Sequence, residues 1–352
     1  MVLLIGMTLL AACGKQASDE SNGASGTDQS EKGRISVVTS FYPIYFFAGA
    51  IGGEHAEVVN LIPAGVEPHD WSPKPRDLDR AAKAQLFLYN GAGLEGWVDD
   101  FLEGLGKDVQ VTAMAVSEGI ELIDGDAEAE AEAAHEEEGH EEEGHEEDGH
   151  GHEEDAHGHE ENAAHEEEEH VEDDHGHSHT VDPHTWVSPK SAIIMAENIK
   201  NSFIEADPAN KEAYTANYEA LKQKLAALDE KFTLELAQTA SKDIVVSHQA
   251  FGYLCRDYGL NQVAIMGLSA EAEPLPQDLL RIANFVKENE IQYIFFEELV
   301  SDQLAKTLAR EAKVDTLVLN PLEGLTPEQE KAGENYISLM EVNLQNLLKA
   351  LQ

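Results

Sequence analysis

The sequence predicts an α/β protein of two similar lobes, each built on a mainly parallel sheet, joined by one long rigid helix. Three observations lead there. Short β-branched runs alternate with helical patterns in the first half of the chain, the same rhythm returns in the second half, and between them one apolar stripe repeats at helical spacing for about seven turns. A strand followed by a helix and another strand returns parallel to the first, so the alternation predicts parallel sheets.

Residues 34–40 (Arg-Ile-Ser-Val-Val-Thr-Ser) read as a buried strand, a β-branched run bounded by polar residues. Residues 44–51 then read as a helix, 57–63, 85–89 and 109–113 as further strands, and 75–84 and 94–105 as helices between them. In the second half, 243–247, 262–266, 291–296 and 315–319 repeat the strand rhythm. Between the halves Asp207-Pro208 opens a helix in which Tyr214, Tyr218, Leu221, Leu225, Leu228, Phe232 and Leu236 recur at steps of three and four. No Gly or Pro interrupts residues 209–239. A single stiff helix limits how far two lobes can swing, so ligand binding is expected to proceed by small local adjustment rather than wide hinge closure.

Charge narrows the function classes. The formal net charge is −46, and 26 of the 69 carboxylates fall between residues 126 and 182, where no Lys or Arg occurs. Nucleic acid is excluded, because phosphate binding needs a basic face; a cationic ligand suits this sign. There are two cysteines, Cys13 and Cys255, too few for a cysteine-built structural zinc site. Cys255 lies in a helical-looking stretch and is expected to be a small buried hydrophobe.

The chain begins with an apolar run too short to span a bilayer, ending Leu10-Ala11-Ala12-Cys13-Gly14. It resembles the lipobox of bacterial lipoproteins, in which the Cys becomes the lipidated first residue. No Lys or Arg precedes the run, which departs from that pattern and leads us to expect a translation start a few codons upstream. The expected organisation is a lipoprotein signal over 1–13, a flexible tether over 14–33, an N-terminal lobe over 34–205, a connecting helix over 206–239 and a C-terminal lobe over 240–352. The N-terminal lobe is interrupted by a disordered His/Glu-rich insertion at 126–180.

Two short segments echo each other: Glu67-Pro68-His69-Asp70-Trp71-Ser72-Pro73 and Asp182-Pro183-His184-Thr185-Trp186-Val187-Ser188-Pro189. Proline holds φ near −65° and keeps the preceding residue extended, so each His sits on a stiff piece of chain. Ser72-Pro73 and Ser188-Pro189 read as N-cap plus first helical residue, which puts both histidines on loops just before helices. A lone His is more often structural than a ligand; repetition of the rigid Pro-His-x-Trp frame reverses that weighting. His248 ends the run Ile244-Val245-Val246-Ser247 and Glu323 follows Leu319-Asn320-Pro321-Leu322, both just past strands, where open α/β sheets bind ligands. Four groups at comparable loop positions on two lobes can converge on one point. His55, after Gly52-Gly53-Glu54, is expected to be a solvated surface residue.

These stretches carry a family resemblance. Gly65 to Trp71, Asp182 to Trp186, Ser247-His248-Gln249-Ala250-Phe251-Gly252-Tyr253 and Leu319 to Leu325 resemble the zinc-receptor branch of the metal-binding lipoproteins of bacterial ABC importers. The resemblance implies a metal site in the cleft between the lobes, with His69, His184, His248 and Glu323 as ligands and Zn²⁺ as the transported ligand. It implies no enzymatic step and places the protein outside the cytoplasmic membrane, lipid-anchored through Cys13, with an ABC permease and its ATPase as partners. A monomer is expected. The family's manganese receptors carry a carboxylate where this chain has His248. Three imidazoles and one carboxylate suit tetrahedral zinc, whereas manganese prefers more oxygen ligands.

Sixteen histidines are present, and twelve lie in the acidic tract: His135, His140, His145, His150, His152, His157, His159, His165, His170, His175, His177 and His179. Imidazoles among carboxylates on a solvated chain are expected to hold several metal ions loosely, as an accessory to the main site. The competing readings are a manganese or other divalent-metal receptor, a metal-binding adhesin, and a zinc hydrolase. Against the last, no His-Glu-x-x-His occurs.

Overall fold

The computed structural model describes residues 33–106, 109–125, 181–270 and 274–352. One sheet contains β1 (Ile35–Thr39), β2 (Ala56–Asn60), β3 (Leu86–Tyr89) and β4 (Thr112–Ala115) in the order β2-β1-β3-β4. The other contains β5 (Asp243–His248), β6 (Asn261–Met266), β7 (Tyr293–Phe296) and β8 (Asp315–Val318) in the order β6-β5-β7-β8. Every ladder is parallel, and the two strand orders are the same pattern, so the lobes are alike in topology. The order reverses between β1 and β3 in one sheet and between β5 and β7 in the other, and a crevice opens at such a point beyond the carboxyl ends of the strands.

The helices are α1 (Tyr42–Gly52), α2 (Pro75–Ala81), α3 (Val98–Leu105), α4 (Pro189–Ala206), α5 (Lys211–Leu236), α6 (Gly252–Tyr258), α7 (Pro276–Glu288), α8 (Gln303–Ala312), α9 (Pro327–Ala332) and α10 (Tyr336–Ala350). Each sheet is covered on both faces. Along β1, Val37 joins a large central core while Val38 turns to an outer cluster with Leu61, Phe87 and Phe101. Along β5, Ile244 and Val246 join the central core and Val245 an outer cluster with Ile282 and Leu308, the period-two alternation of a strand. All seven apolar residues of the connecting stripe, Tyr214 through Leu236, are buried on α5 in that same central core.

The core therefore runs through both lobes. Across the lobes Phe47 meets Tyr336 at 4.9 Å, and within the N-terminal lobe Phe41 meets Trp186 edge-on at 4.6 Å. Polar contacts pin the same seam: the Trp186 indole donates to the Pro321 carbonyl at 2.7 Å, the Tyr336 hydroxyl to the Trp186 carbonyl at 2.6 Å, and the Gly65 amide to the Leu325 carbonyl at 2.8 Å. Opening the lobes would expose this core and break these bonds, which disfavours wide hinge motion.

Three local expectations are corrected. Helix α2 begins at Pro75 with Lys74 as N-cap, not at Pro73, because Pro75 forces Lys74 out of helical geometry; Ser72 caps nothing, whereas Ser188 does accept from the Lys190 amide at 3.2 Å. Helix α3 begins at Val98 rather than residue 94, since Gly91, Ala92 and Gly93 all have positive φ and start a turn. Strand β4 begins at Thr112 rather than 109, because the Val109 amide is used in a turn onto the Gly106 carbonyl.

Asp124 and Val181 form an antiparallel bridge, and the Asp182 amide donates to the Ile123 carbonyl at 2.8 Å. The two described ends that flank residues 126–180 are thus paired with each other. Cys13 and the twelve tract histidines lie outside the described residues. Among the described residues no helix is long and apolar enough to cross a membrane. Cys255 is buried on α6, as expected.

Candidate metal centre

Four loops deliver the four singled-out side chains. His69 sits in a tight turn whose Glu67 carboxylate accepts from the backbone amides of His69 (3.0 Å) and Asp70 (3.3 Å), while the Trp71 amide donates to the Pro68 carbonyl at 3.2 Å. His184 follows Asp182, one carboxylate oxygen of which accepts from the His184 amide at 2.9 Å and faces the ring Nδ1 at 2.8 Å. His248 is the last residue of β5, and its Nδ1 lies 2.6 Å from Glu297, which also accepts from the Ser247 hydroxyl. Glu323 follows Leu322, whose left-handed backbone (φ 62°) is held by the Asn320 side chain accepting the Leu322 amide at 2.7 Å.

These backbone devices point four donor atoms at one another. His184 Nε2 lies 3.1 Å from His69 Nε2 and 3.3 Å from His248 Nε2. Glu323 Oε1 lies 3.3, 3.4 and 3.6 Å from the Nε2 atoms of His69, His184 and His248. A tetrahedral ion bound at about 2.0–2.1 Å separates its ligand atoms by about 3.3–3.4 Å, so these five separations lie close to those of a four-coordinate zinc-sized shell, with all four ligand atoms within 4.8 Å of one another. An octahedral oxygen-rich ion at the same bond length needs six donors and edges near 2.9 Å, which this set does not offer. His69, His184, His248 and Glu323 are thus all brought together, with side chains no more than 3 % exposed.

Hydrogen bonds of Nδ1 to Asp182 and Glu297 fix the tautomers of His184 and His248. Each ring donates from Nδ1 and leaves its Nε2 lone pair facing the centre. Asp182, Glu297 and Glu67 were not singled out from the sequence. Asp182 had a local signal, a carboxylate two residues before a His, and Glu297 had the same signal as His248, a place just past a strand end. His55 is outside the cluster and is half-buried rather than solvated, its ring edge-on to Tyr214 of the connecting helix at 6.1 Å.

The centre lies between two openings. A cavity of about 740 Å³ on one side is lined by Glu323 with Tyr42, Phe46, Val66, Leu325 and Glu334. A second, of about 500 Å³, is lined by His69 with Asp70, Trp71, Trp97, Asp100 and Ser269 of the other lobe.

Electrostatics make the metal-free centre proton-hungry. Burial opposes charging of His248, but Glu297 and Glu323 outweigh it and hold its pKa well above the ordinary value; burial likewise opposes charging of His184, and Asp182 and Glu323 outweigh it. Burial would raise Glu323, yet the three imidazoles pull it well below the usual carboxylate range. Glu67 is raised, first by burial and then by Glu323. In the metal-free fold the raised histidines contribute stability that is fully present below about pH 6.5 and lost as pH rises through their folded values. Glu323 contributes stability present above about pH 4.3 and lost as pH falls through its folded value. A metal ion must displace the histidine protons, so affinity is expected to rise with pH through the raised histidine values. Calorimetric titration with Zn²⁺ in buffers of different ionisation heat is expected to show net proton release on binding; no buffer dependence would contradict this electrostatic picture.

A family model described as "Zinc-uptake complex component A periplasmic" matches residues 37–350. The zinc-binding lipoprotein AdcA of Streptococcus pneumoniae serotype 4 is 40 % identical over 315 residues, covering 90 % of this chain and 55 % of AdcA, so the chain spans about half the length of that relative. The high-affinity zinc uptake system protein ZnuA of Bacillus subtilis is 37 % identical over 343 residues, 97 % of this chain and 94 % of that one. The crystal structure of the Zn(II)-bound ZnuA-like domain of S. pneumoniae AdcA superposes with a TM-score of 0.69 at 36 % identity, covering 91 % of this chain and 99 % of that domain. With the match extending over both lobes and all four converging loops, the chain belongs to the family of zinc-uptake complex component A.

Proposed function

We propose that the chain binds one Zn²⁺ tightly through His69, His184, His248 and Glu323, captures it outside the cytoplasmic membrane and delivers it to an ABC permease and its ATPase. The observation that carries this reading is the cluster of three imidazole nitrogens and one carboxylate oxygen, all within 4.8 Å of one another and with five of their six separations at 3.1–3.6 Å. The relatives' zinc-binding and zinc-uptake names support the same cargo. Glu323 takes the fourth corner, where a hydrolytic zinc keeps a water, so the reading includes no chemical step. A lipid on Cys13 and the tether over 14–33 hold the receptor, as a monomer, at the membrane surface.

In this reading the twelve tract histidines form a separate, weaker class. A solvated segment loses conformational freedom each time its side chains converge on an ion, whereas the loop histidines are already held by proline and packing. The paired ends at Asp124 and Val181 let the tract be removed without pulling on the site. Deleting residues 134–180 is expected to leave about one tight zinc per chain by metal analysis and chelator competition, and to remove a set of weaker ions seen by calorimetry. Loss of the tight ion in the deleted protein would show that the tract belongs to the cleft and would overturn the separation.

A further inference from the structure

We propose that Asn90 is a positioning residue for the metal centre, bracketing His184 from both sides. This inference rests on the zinc-receptor reading and adds a residue that does not touch the ion. Asn90 lies at the carboxyl end of β3, fully buried. Its side-chain amide donates to the Pro183 carbonyl at 2.8 Å, and its side-chain oxygen accepts from the Thr185 hydroxyl at 2.9 Å. Pro183 and Thr185 are the residues on either side of His184, so one side chain grips the backbone segment that carries the ring at two points.

The grip is itself anchored. Glu95 accepts from the Asn90 amide at 2.8 Å, the Gly91 amide at 3.0 Å and the Ser40 hydroxyl at 2.7 Å, which ties Asn90 to the end of β1. Gly91 has φ +78°, and a Cβ there would stand 2.9 Å from the Ala115 side chain, so the turn that presents Asn90 requires glycine. The Asn90 side-chain oxygen can accept from the Thr185 hydroxyl while its NH₂ group supplies both of its donations, to Pro183 and to the Gly91 carbonyl at 2.9 Å. A network with every member satisfied in a buried setting is rigid.

His184 stands close to all three other members of the shell. Its Nε2 lies within 3.1–3.4 Å of the donor atoms of His69, His248 and Glu323. A small shift of the Pro183–Thr185 segment changes three of the tetrahedron's edges together. Asp182 fixes which way the ring turns; Asn90 fixes where the backbone beneath it stands. Pre-placing the ring before the ion arrives removes an ordering cost from binding.

The test uses the full-length chain with two readouts: zinc affinity by competition with a chelator strong enough to strip the tract, and the visible d–d spectrum of the Co²⁺-loaded protein, which reports ligand geometry. Asn90→Ala and Thr185→Val are expected to weaken zinc binding about tenfold to a hundredfold and to shift or weaken the tetrahedral Co²⁺ bands, while Thr185→Ser, which keeps the hydroxyl, restores both. Ser202→Ala, which removes a buried hydroxyl from α4, is expected to change neither. If Asn90→Ala does not fold, the Thr185→Val and Thr185→Ser pair decides. Folded Asn90→Ala and Thr185→Val proteins with unchanged affinity and spectrum overturn the proposal, as does an equal loss in Ser202→Ala. A His184→Ala variant measured beside them separates the two readings: if it too keeps its affinity, the site assignment has failed, not the positioning role.

Discussion

His184→Ala is expected to lower zinc affinity by about two to three orders of magnitude. Structural zinc shells of four ligands are worth about 10–16 kcal/mol near neutral pH, and loss of one corner removes about a quarter of that. His184 is fully buried and central to the shell, so its removal also leaves Asp182 without its ring partner. His69→Ala and His248→Ala are expected to follow closely, the latter leaving Glu297 buried with one donor fewer. Glu323→Ala is expected to cost less, because the 740 Å³ cavity that Glu323 lines can supply a water to the vacated corner. His55→Ala, away from the cluster, is expected to change nothing. Chelator competition on the five variants decides the matter: equal, small losses at all four cluster positions would contradict the site.

Trp186→Ala is expected to be the most destabilising single change in the seam between the lobes. The ring is fully buried, edge-on to Phe41, and 5.3 Å from the His184 ring. Truncating a buried Trp costs about 3–5 kcal/mol, and the Pro321 carbonyl, which accepts the indole N–H at 2.7 Å, loses its partner for about 1–3 kcal/mol more. The loss should appear in the urea midpoint of the metal-free protein as well as in zinc affinity. Trp71→Ala, at the matching place of the other Pro-His-x-Trp segment, is expected to cost clearly less, since Trp71 is only half-buried, packed against Trp97 and touching the rims of both the outer cluster and the central core. Equal urea midpoints for the two variants would contradict this assignment of the core.

That contrast shows where sequence reasoning stops. Residues 65–73 and 181–189 look like copies, yet Trp186 is fully buried in the central core while Trp71 lies half-buried at its edge, because burial depends on what the rest of the chain brings alongside. Signals carried by adjacent residues were legible: the β-branched runs of β1 and β5, the seven-residue stripe of α5, and the strand-end positions of His248 and Glu323. The stripe was read residue by residue because helical period is a local property of the chain. Glu297 and Asn90 also stand just past strand ends, but their roles were not legible, since the partners that define them, Ser247 and His248 for one and Pro183 and Thr185 for the other, lie far away in sequence and nothing in a lone carboxylate or amide marks it as a bracket for a distant loop. The Ser72 cap failed for a local reason, the second proline at Pro75, which the Ser-Pro pattern overlooked.

The central claim, that His69, His184, His248 and Glu323 together hold one zinc ion, is tested most directly by zinc K-edge X-ray absorption on the protein lacking residues 134–180 and loaded with one equivalent of Zn²⁺. The expected result is four nitrogen or oxygen neighbours at about 2.0–2.1 Å, with outer-shell scattering from three imidazole rings. A six-coordinate oxygen-rich shell, or scattering from fewer than three imidazoles, would contradict the account.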